Sequence, residues 1–357
     1  MDNFEHPPVS AVDSEVRHDV RTTFADVLQL RVGTPFMTDD FGRVVFLESA
    51  NHLDYALRLS SGQGSVFSPA PAGGVRNVVV YEGGVSTPGD ELLIGDGLLV
   101  SSQDYLSTPF VVATGATIVL VTGAEDYDAY LQDADLARRT GVFVDQLLQP
   151  GVFLADQCAL GSTHPCAGAA RLYVATSGDV YTAPGGQRLG TVESDVDHLI
   201  EAAVAPTSGD LCLNGVVAAE SVDRARAERP WLSRYLRALD VLGGLGTTGR
   251  TGYRVSGFGG RLTAGLPTAL DEPTDAPLVL WNDDEHLICD PGQGRVFQLG
   301  QDAARLVELL LITGSIEGSC TLATVHLGLD RVTARAAIEV LTTRLADAGV
   351  LLCEVVA

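Results

Sequence analysis

Short apolar runs separated by glycine-rich turns dominate residues 29–150. The runs consist largely of Val, Ile and Leu, which is typical of strands in a sheet that is covered on both faces. A later stretch differs, because Tyr127, Tyr130 and Leu131 recur at helical spacing. We therefore expect a mixed α/β unit with a helix over Ala124–Leu148. Its predicted strands are Gly42–Leu47, Val75–Tyr81, Glu91–Val100, Pro109–Ala113 and Thr117–Thr122.

Residues 151–265 predict a second, cysteine-containing unit with a hairpin and two helices. Two short runs, Arg171–Val174 and Gly178–Thr182, flank a Ser-Gly-Asp turn, as in a β-hairpin. Residues 220–242 show helical spacing, and Pro230 favours a break at which a second helix begins.

Two segments lack a regular apolar pattern and mark boundaries. Residues 1–28 are polar, contain a Pro-Pro pair and predict an N-terminal arm. Residues 265–277 contain three prolines and three acids, which is the composition of a linker. An acidic stretch begins within this linker, because residues 271–290 include seven acids and no arginine.

The pattern of residues 277–357 predicts three strands followed by three helices. The strands Leu278–Trp281, Leu287–Cys289 and Arg295–Leu299 are joined by turns rich in Asn, Asp, Pro and Gly, as in a β-meander. Helical spacing then begins near Ala303. This order predicts a winged-helix unit, so we expect an α+β chain with an N-terminal mixed α/β region.

Glycines and one acid set the bounds of the three predicted helices. The first ends at Gly314, and the second, Thr321–Leu327, ends before Gly328. Asp330 can cap the third. The predicted buried face of this third helix is Ala334, Ala337, Ile338, Leu341, Leu345 and Ala348.

Charge and composition exclude several classes of function. The chain has 46 acidic and 23 basic residues, a formal net charge of −23. Because binders of nucleic acid or anionic membranes present a positive face, we expect neither partner. No apolar stretch reaches the ~20 residues that cross a bilayer, and the first residues lack the pattern of a secretory signal. Six cysteines are too few for a disulfide scaffold, so we expect a cytoplasmic protein with reduced thiols.

The C-terminal unit resembles a known family. It contains an Asp-Pro-x-x-Gly-Arg-Val turn into a strand that ends at Leu299, and an Asp-Ala-Ala helix start at Asp302. Its final helix leads to a Gly-Val-Leu-Leu sequence at Gly349. In this order and spacing, residues 277–357 resemble the PqqD-like peptide-recognition domain, also called the RiPP recognition element. The resemblance implies a winged-helix fold with no catalytic residues.

The resemblance also implies how a partner binds. The leader of a ribosomally synthesised precursor peptide docks as an added strand beside the third strand, in the cleft with the last helix. An edge strand has unpaired N–H and C=O groups that such a peptide can satisfy. The implied peptide-binding residues are Arg295, Val296, Phe297, Gln298, Leu299, Arg335, Ile338, Leu341, Thr342 and Leu345.

The chain as a whole resembles the recognition proteins of daptide-type peptide pathways. This likeness depends on the C-terminal unit and on the segment from Cys158 to Val192. It implies peptide-modifying partner enzymes, a dehydrogenase-like oxidative decarboxylase and an aminotransferase, and no cofactor on this chain. The acidic stretch at 271–290 adds the expectation of a leader with basic residues around an apolar anchor, bound more weakly as salt rises.

Four residues could hold a metal. Zinc prefers four nitrogen or sulfur donors, and the candidate ligands are Cys158, His164, Cys166 and Cys212. Their spacing is unlike the usual short Cys-x(2–4)-Cys pair. We therefore expect inert buried thiols and no metal, with zinc as the alternative. The remaining cysteines, Cys289, Cys320 and Cys353, lie in apolar stretches and are expected in the core.

Two further motifs have structural as well as functional interpretations. Residues Gly244 to Gly249 spell G-x-G-x-x-G, but a dinucleotide site needs a strand before the motif, so a flexible loop is favoured. Five arginines of the 220–242 stretch could pair with acids on their own helix or form a docking surface for an acidic partner. They are Arg224, Arg226, Arg229, Arg234 and Arg237.

Three functional hypotheses follow. The first is a non-catalytic recognition protein that binds a leader peptide and delivers it to modifying enzymes. The second is a peptide-modifying enzyme whose catalytic domain, residues 29–265, is fused to its own recognition element. The third, a winged-helix DNA regulator, is disfavoured by the acidic charge.

Overall fold

The computed structural model describes residues 43–60, 64–71, 77–95, 97–110, 115–161, 171–204, 212–213, 215–290, 295–350 and 352. The predicted arm at 1–28, most of the predicted strand Pro109–Ala113, and Cys353 lie outside these residues. Within them the architecture is mixed α/β, as the sequence predicts, with two sheets and associated helices.

Strands and helices succeed each other irregularly along the described residues. The strands are β1 (Val44–Leu47), β2 (Val66–Ser68), β3 (Val78–Gly83), β4 (Glu91–Ile94), β5 (Leu98–Asp104), β6 (Ala116–Leu120), β7 (Val152–Leu154), β8 (Arg171–Val174), β9 (Asp179–Tyr181), β10 (Arg188–Thr191), β11 (Arg254–Val255), β12 (Leu278–Trp281), β13 (His286–Asp290) and β14 (Arg295–Leu299). The helices are α1 (Leu53–Leu59), α2 (Ala124–Thr140), α3 (Gln157–Gly161), α4 (Val196–Val204), α5 (Ala219–Glu228), α6 (Leu232–Thr247), α7 (Gln301–Thr313), α8 (Ile316–Leu327) and α9 (Arg331–Asp347).

The larger sheet has the strand order β10-β9-β8-β1-β2-β3-β4-β5-β6-β7. Strand β1 pairs in parallel with β2 and with β8, and β2 pairs in parallel with β3. The β3–β4 and β4–β5 pairs are antiparallel, so β5 runs in the same direction as β3. Strands β6 and β7 continue in parallel with β5. The carboxyl ends of β1, β2, β3, β5, β6, β7 and β8 therefore lie along one edge of the sheet.

Both faces of the centre of this sheet are buried, as its uninterrupted apolar runs predict. Val45 and Leu47 of β1 pack with residues of α1 and α4. The alternate residues, Val44 and Phe46, are buried in a separate cluster with Tyr81 of β3. The period of two along β1 thus divides one continuous apolar run between two cores.

The smaller sheet has the order β11-β12-β13-β14 and lies between two groups of helices. Leu278 and Leu280 of β12 join the core that contains α2 and α6. Val279 and its partner Ile288 on β13 join the core of α7, α8 and α9. Three strands followed by three helices occur as predicted, and the two-residue β11 extends the sheet on the β12 side.

Several boundaries differ from the sequence-based expectation. The predicted strand Glu91–Val100 is two antiparallel strands, β4 and β5, which meet at a turn where Gly95 has φ of +54°. The predicted helix Ala124–Leu148 stops at Thr140, because Gly141 adopts φ of +74°. Helix α8 begins at Ile316, five residues before its predicted start, because the Ser315 side chain caps it.

Residues 271–277, predicted as a linker, are packed against the helices, and we call them the strap. Glu272 as a whole residue is 6% exposed, and its carboxylate forms an ion pair with Arg234 of α6. The Arg234 guanidinium also donates to the backbone oxygens of Pro273 at 3.1 Å and Ala276 at 3.0 Å. Composition predicts a linker over 265–277, but its second half, residues 271–277, is held by tertiary partners that composition does not reveal.

Four arginines of the 220–242 stretch bind groups on other elements. Arg226 donates to the backbone oxygen of Cys158 at 3.1 Å, and Arg229 contacts both carboxylate oxygens of Asp135 at 3.0 Å. Arg234 and Arg237 bind the strap. An open docking surface is therefore wrong for these four. Across the described residues, no helix has the length and apolar character needed to span a membrane.

Candidate functional site

The implied peptide-binding strand, β14, has the predicted bounds and lies at the edge of the smaller sheet. It pairs with β13, with Phe297 opposite Ile288 and Val296 opposite Cys289. Among the strands that the structure describes, none pairs with its other side. An edge of this kind can accept a further strand.

The register shows which backbone groups of β14 face outward. The Asn282 N–H donates to the Glu285 backbone oxygen at 3.1 Å just before β13 begins. Because bonding alternates in an antiparallel pair, Leu287 and Cys289 of β13 bond toward β12. The intervening residues of β13 bond toward Arg295, Phe297 and Leu299 of β14. The N–H and C=O groups of the other two residues, Val296 and Gln298, therefore point away from the sheet.

The side chains of β14 alternate in the same way. Phe297 and Leu299 are half-buried and pack with Leu341 against the core of α7, α8 and α9. Val296, 43% exposed, and Gln298 lie on the opposite face. An added strand would thus have an apolar surface on the helix side and solvent on the other.

The implied residues of α9 divide into surface and core. Arg335 is at the surface, where its guanidinium forms an ion pair with Glu317. Thr342 is half-buried, and its hydroxyl donates to the Ile338 backbone oxygen at 2.8 Å. Ile338 and Leu345 are 1% and 5% exposed, so they support the surface from beneath and do not line it.

Arg295 has a role that the sequence does not suggest. Its guanidinium donates to the backbone oxygen of Ala348 at 2.7 Å, at the end of α9. Helix ends leave carbonyl groups unpaired, and an arginine can satisfy one. Arg295 therefore fixes β14 relative to α9.

Four of the seven acids in the stretch 271–290 form ion pairs with arginines. Asp271 pairs with Arg138 at 2.6 Å and Asp275 with Arg237 at 3.0 Å. Glu272 pairs with Arg234, and Glu285 pairs with Arg250. The stretch contains no arginine of its own, but arginines from distant parts of the sequence reach four of its seven acids.

Two of the four candidate metal ligands lie together in the core. The Sγ atoms of Cys158 and Cys212 are 3.8 Å apart. The Arg171 guanidinium donates to Cys212 Sγ at 2.8 Å and to Asp156 at 2.8 Å. No group of three or more His, Cys, Asp or Glu side chains suited to a metal occurs among the described residues. His164 and Cys166 lie outside them.

Arg171 is the residue on which this cluster depends. Its side chain is 3% exposed and that of Asp156 is 7% exposed, so their ion pair is buried. Replacing Arg171 with Met leaves the Asp156 carboxylate buried without its counter-ion. We expect the free energy of unfolding to fall by about 3–5 kcal/mol. Urea unfolding measures this loss. The control is Arg188→Met, because Arg188 forms an exposed ion pair with Asp179. For the control we expect a loss of under about 1 kcal/mol.

Cys289 and Cys320 are buried in the core as predicted, and burial raises the pKa of Cys289 to about 12. The Cys289 thiol therefore stays protonated and is a packing group.

The G-x-G-x-x-G residues lie at the end of α6 and just beyond it, so a helix precedes the motif. The strand–turn–helix context of a dinucleotide site is therefore missing there.

Sequence reasoning missed Glu48, which directly follows the buried strand β1 at the carboxyl edge of the larger sheet. Its carboxylate accepts hydrogen bonds from the Tyr173 hydroxyl and from the Thr176 N–H at 2.9 Å. An acid immediately after a buried parallel strand is a signal that could have found it, because ligands bind at such strand ends in open α/β sheets.

Comparison with known proteins adds no relative. No family model matches the chain, and no curated protein or solved structure matches it significantly.

Proposed function

We propose that this chain is a non-catalytic recognition protein, which binds the leader of a ribosomally synthesised precursor peptide and delivers it to modifying enzymes. The observation that carries the proposal is the outer edge of β14, which pairs with no other described strand and where the backbone groups of Val296 and Gln298 point away from the sheet. Affinity would come from main-chain hydrogen bonds and specificity from alternate side chains.

The surroundings of β14 support strand addition. An incoming strand would place every second side chain beside Phe297, Leu299 and Leu341, which are only half-buried. Arg295 fixes the position of β14 relative to α9, so the surface exists before the peptide arrives. A preformed surface lowers the ordering cost of binding.

The likeness of residues 277–357 to PqqD-like domains supports a leader peptide as the occupant. Under this proposal the unit is a winged helix, and the chain acts in the cytoplasm. The daptide-type likeness of the whole chain adds two partners to the proposal, a dehydrogenase-like oxidative decarboxylase and an aminotransferase.

A titration of the full chain tests the proposal. The probe is a fluorescent synthetic peptide with the leader sequence of the precursor encoded beside this chain's gene, and the readout is fluorescence anisotropy. We expect saturable binding, with a scrambled leader as control. Absence of binding at tens of micromolar, roughly −6 to −7 kcal/mol, would contradict the proposal. The full chain is required because one face of β12 and β13 packs in the α6 core.

A second candidate is a peptide-modifying enzyme fused to its own recognition element. The observation that favours it is a cavity at the carboxyl edge of the larger sheet, described below. Mass spectrometry of the precursor after incubation with the purified chain alone distinguishes the two. An unchanged peptide mass supports the recognition protein, and a mass change supports the enzyme.

A further inference from the structure

A cavity of about 680 Å³ opens at the carboxyl ends of β1, β3 and β8. Strand β1 has its sequence neighbour β2 on one side and the much later β8 on the other, so the strand order reverses here. In open α/β sheets, ligands bind outside the carboxyl ends of the strands at such a reversal. The volume lies within the range of small-molecule sites, roughly 300–1,000 Å³.

Stacked aromatic rings form the floor of the cavity. The rings of Phe46 and Tyr81 stack with centroids 4.5 Å apart, and Phe46 also stacks on Tyr173 at 5.9 Å. The Tyr81 hydroxyl donates to the Leu47 backbone oxygen at 2.5 Å. These contacts fix the surface on which a ligand would lie.

Two carboxylates at the cavity are held in place by neutral donors. Glu48 accepts from the Tyr173 hydroxyl and the Thr176 N–H. Burial, together with Glu48, raises the pKa of Tyr173 above its ordinary value, so its hydroxyl stays a donor. Asp90 accepts from the N–H groups of Ser86 and Thr87 at 2.9 and 2.8 Å. Neutral donors orient the Glu48 carboxylate without cancelling its charge, and it can accept further bonds.

The loop that carries Asp90 depends on close backbone contacts. Gly83 has φ of +86°, and a Cβ there would lie 1.8 Å from the Glu91 backbone oxygen. A Cβ on Gly84 would lie 3.2 Å from the Asp90 carboxylate. The chain therefore needs glycine at position 83, and the backbone at Gly84 lies directly beside the Asp90 carboxylate.

The charge of the cavity determines the class of ligand. Glu48, Asp90 and Glu91 line it, and no Arg or His occurs among its described lining residues. The described part of the chain offers no set of three or more side chains arranged for a metal ion, and the cavity is far larger than an ion. Carboxylates form their strongest hydrogen bonds with ammonium and guanidinium groups.

We propose that this cavity binds an organic cation, a guanidinium or primary ammonium group carried by a small molecule or by a peptide side chain, with Glu48 as its main partner. The inference does not depend on leader binding at β14, which lies in the other sheet.

Calorimetric titration of the full chain tests this inference with four probes. N-acetyl-argininamide and N-acetyl-lysinamide carry the cation, N-acetyl-citrullinamide is the neutral isostere of the first, and N-acetyl-glutamate is the anion. We expect both cations to bind at least about tenfold more tightly than the citrulline and glutamate probes, and less tightly as salt rises. A tripeptide with a central arginine distinguishes the sources, because tighter binding than the single residue indicates a peptide-borne cation.

Variants complete the test. Glu48→Gln keeps the shape and removes the charge, and we expect it to weaken N-acetyl-argininamide at least about tenfold. Glu193→Gln changes an exposed acid that does not line the cavity and should leave the affinity unchanged. Val296→Pro should also leave it unchanged, which separates this inference from the leader proposal. Equal binding of arginine and citrulline probes, or an unaffected Glu48→Gln chain, would overturn it.

Discussion

Replacing Val296 with proline is expected to weaken leader binding about tenfold to a hundredfold while leaving the stability of the chain nearly unchanged. The N–H of Val296 points away from β13, so proline removes a donor that the peptide uses and none that the sheet uses. A peptide carbonyl left unpaired on binding costs about 1–3 kcal/mol, and 1.4 kcal/mol is a tenfold change in affinity. Anisotropy titration and urea unfolding measure the two effects.

Two control variants show whether the backbone group is responsible. Val296→Ala keeps the N–H and shortens a side chain that is already 43% exposed, so we expect a much smaller loss of affinity. Phe297→Pro removes an N–H that faces Ile288 on β13, so we expect a loss of stability as well. A Val296→Pro chain that binds the leader as tightly as the unchanged chain would show that the peptide does not pair with β14.

The local elements of the C-terminal unit could be predicted because turn and cap residues bracket them. Strands β12 and β14 have the predicted bounds, and Asp330 caps α9 as expected, accepting from the Val332 and Thr333 N–H groups. Asp, Asn, Gly and Pro act within a few residues of themselves, so their effect is visible in the sequence.

Contacts between distant residues could not be predicted in the same way. Residues 271–277 have the composition of a linker, but Arg234 and Arg138 bind them from α6 and α2. Glu48 lies beside Thr176 only because β1 and β8 are neighbours in the sheet. Neither pairing leaves a periodic or local signal, which is why the strap and the cavity emerged only from the structure.

The strap is expected to stabilise the fold through Glu272. Its carboxylate pairs with Arg234 and Arg261, and all three side chains are at most 3% exposed. One Glu272 oxygen also accepts from Ser256 at 3.0 Å, and the Ser256 hydroxyl lies 2.6 Å from Glu308 of α7. This network therefore joins α6, the strap and α7. Burial lowers the pKa of Arg234, and the Glu272 charge offsets part of that effect.

Replacing Glu272 with glutamine is expected to lower the free energy of unfolding by about 3–5 kcal/mol, because two buried guanidinium groups lose their counter-ion. Asp275→Asn is the matched control in the same strap. Asp275 is 61% exposed in its pair with Arg237, so we expect a loss of under about 1 kcal/mol. Urea unfolding of both variants, followed by circular dichroism, measures the difference. Similar losses in the two variants would contradict the stabilising role of the buried Glu272 network.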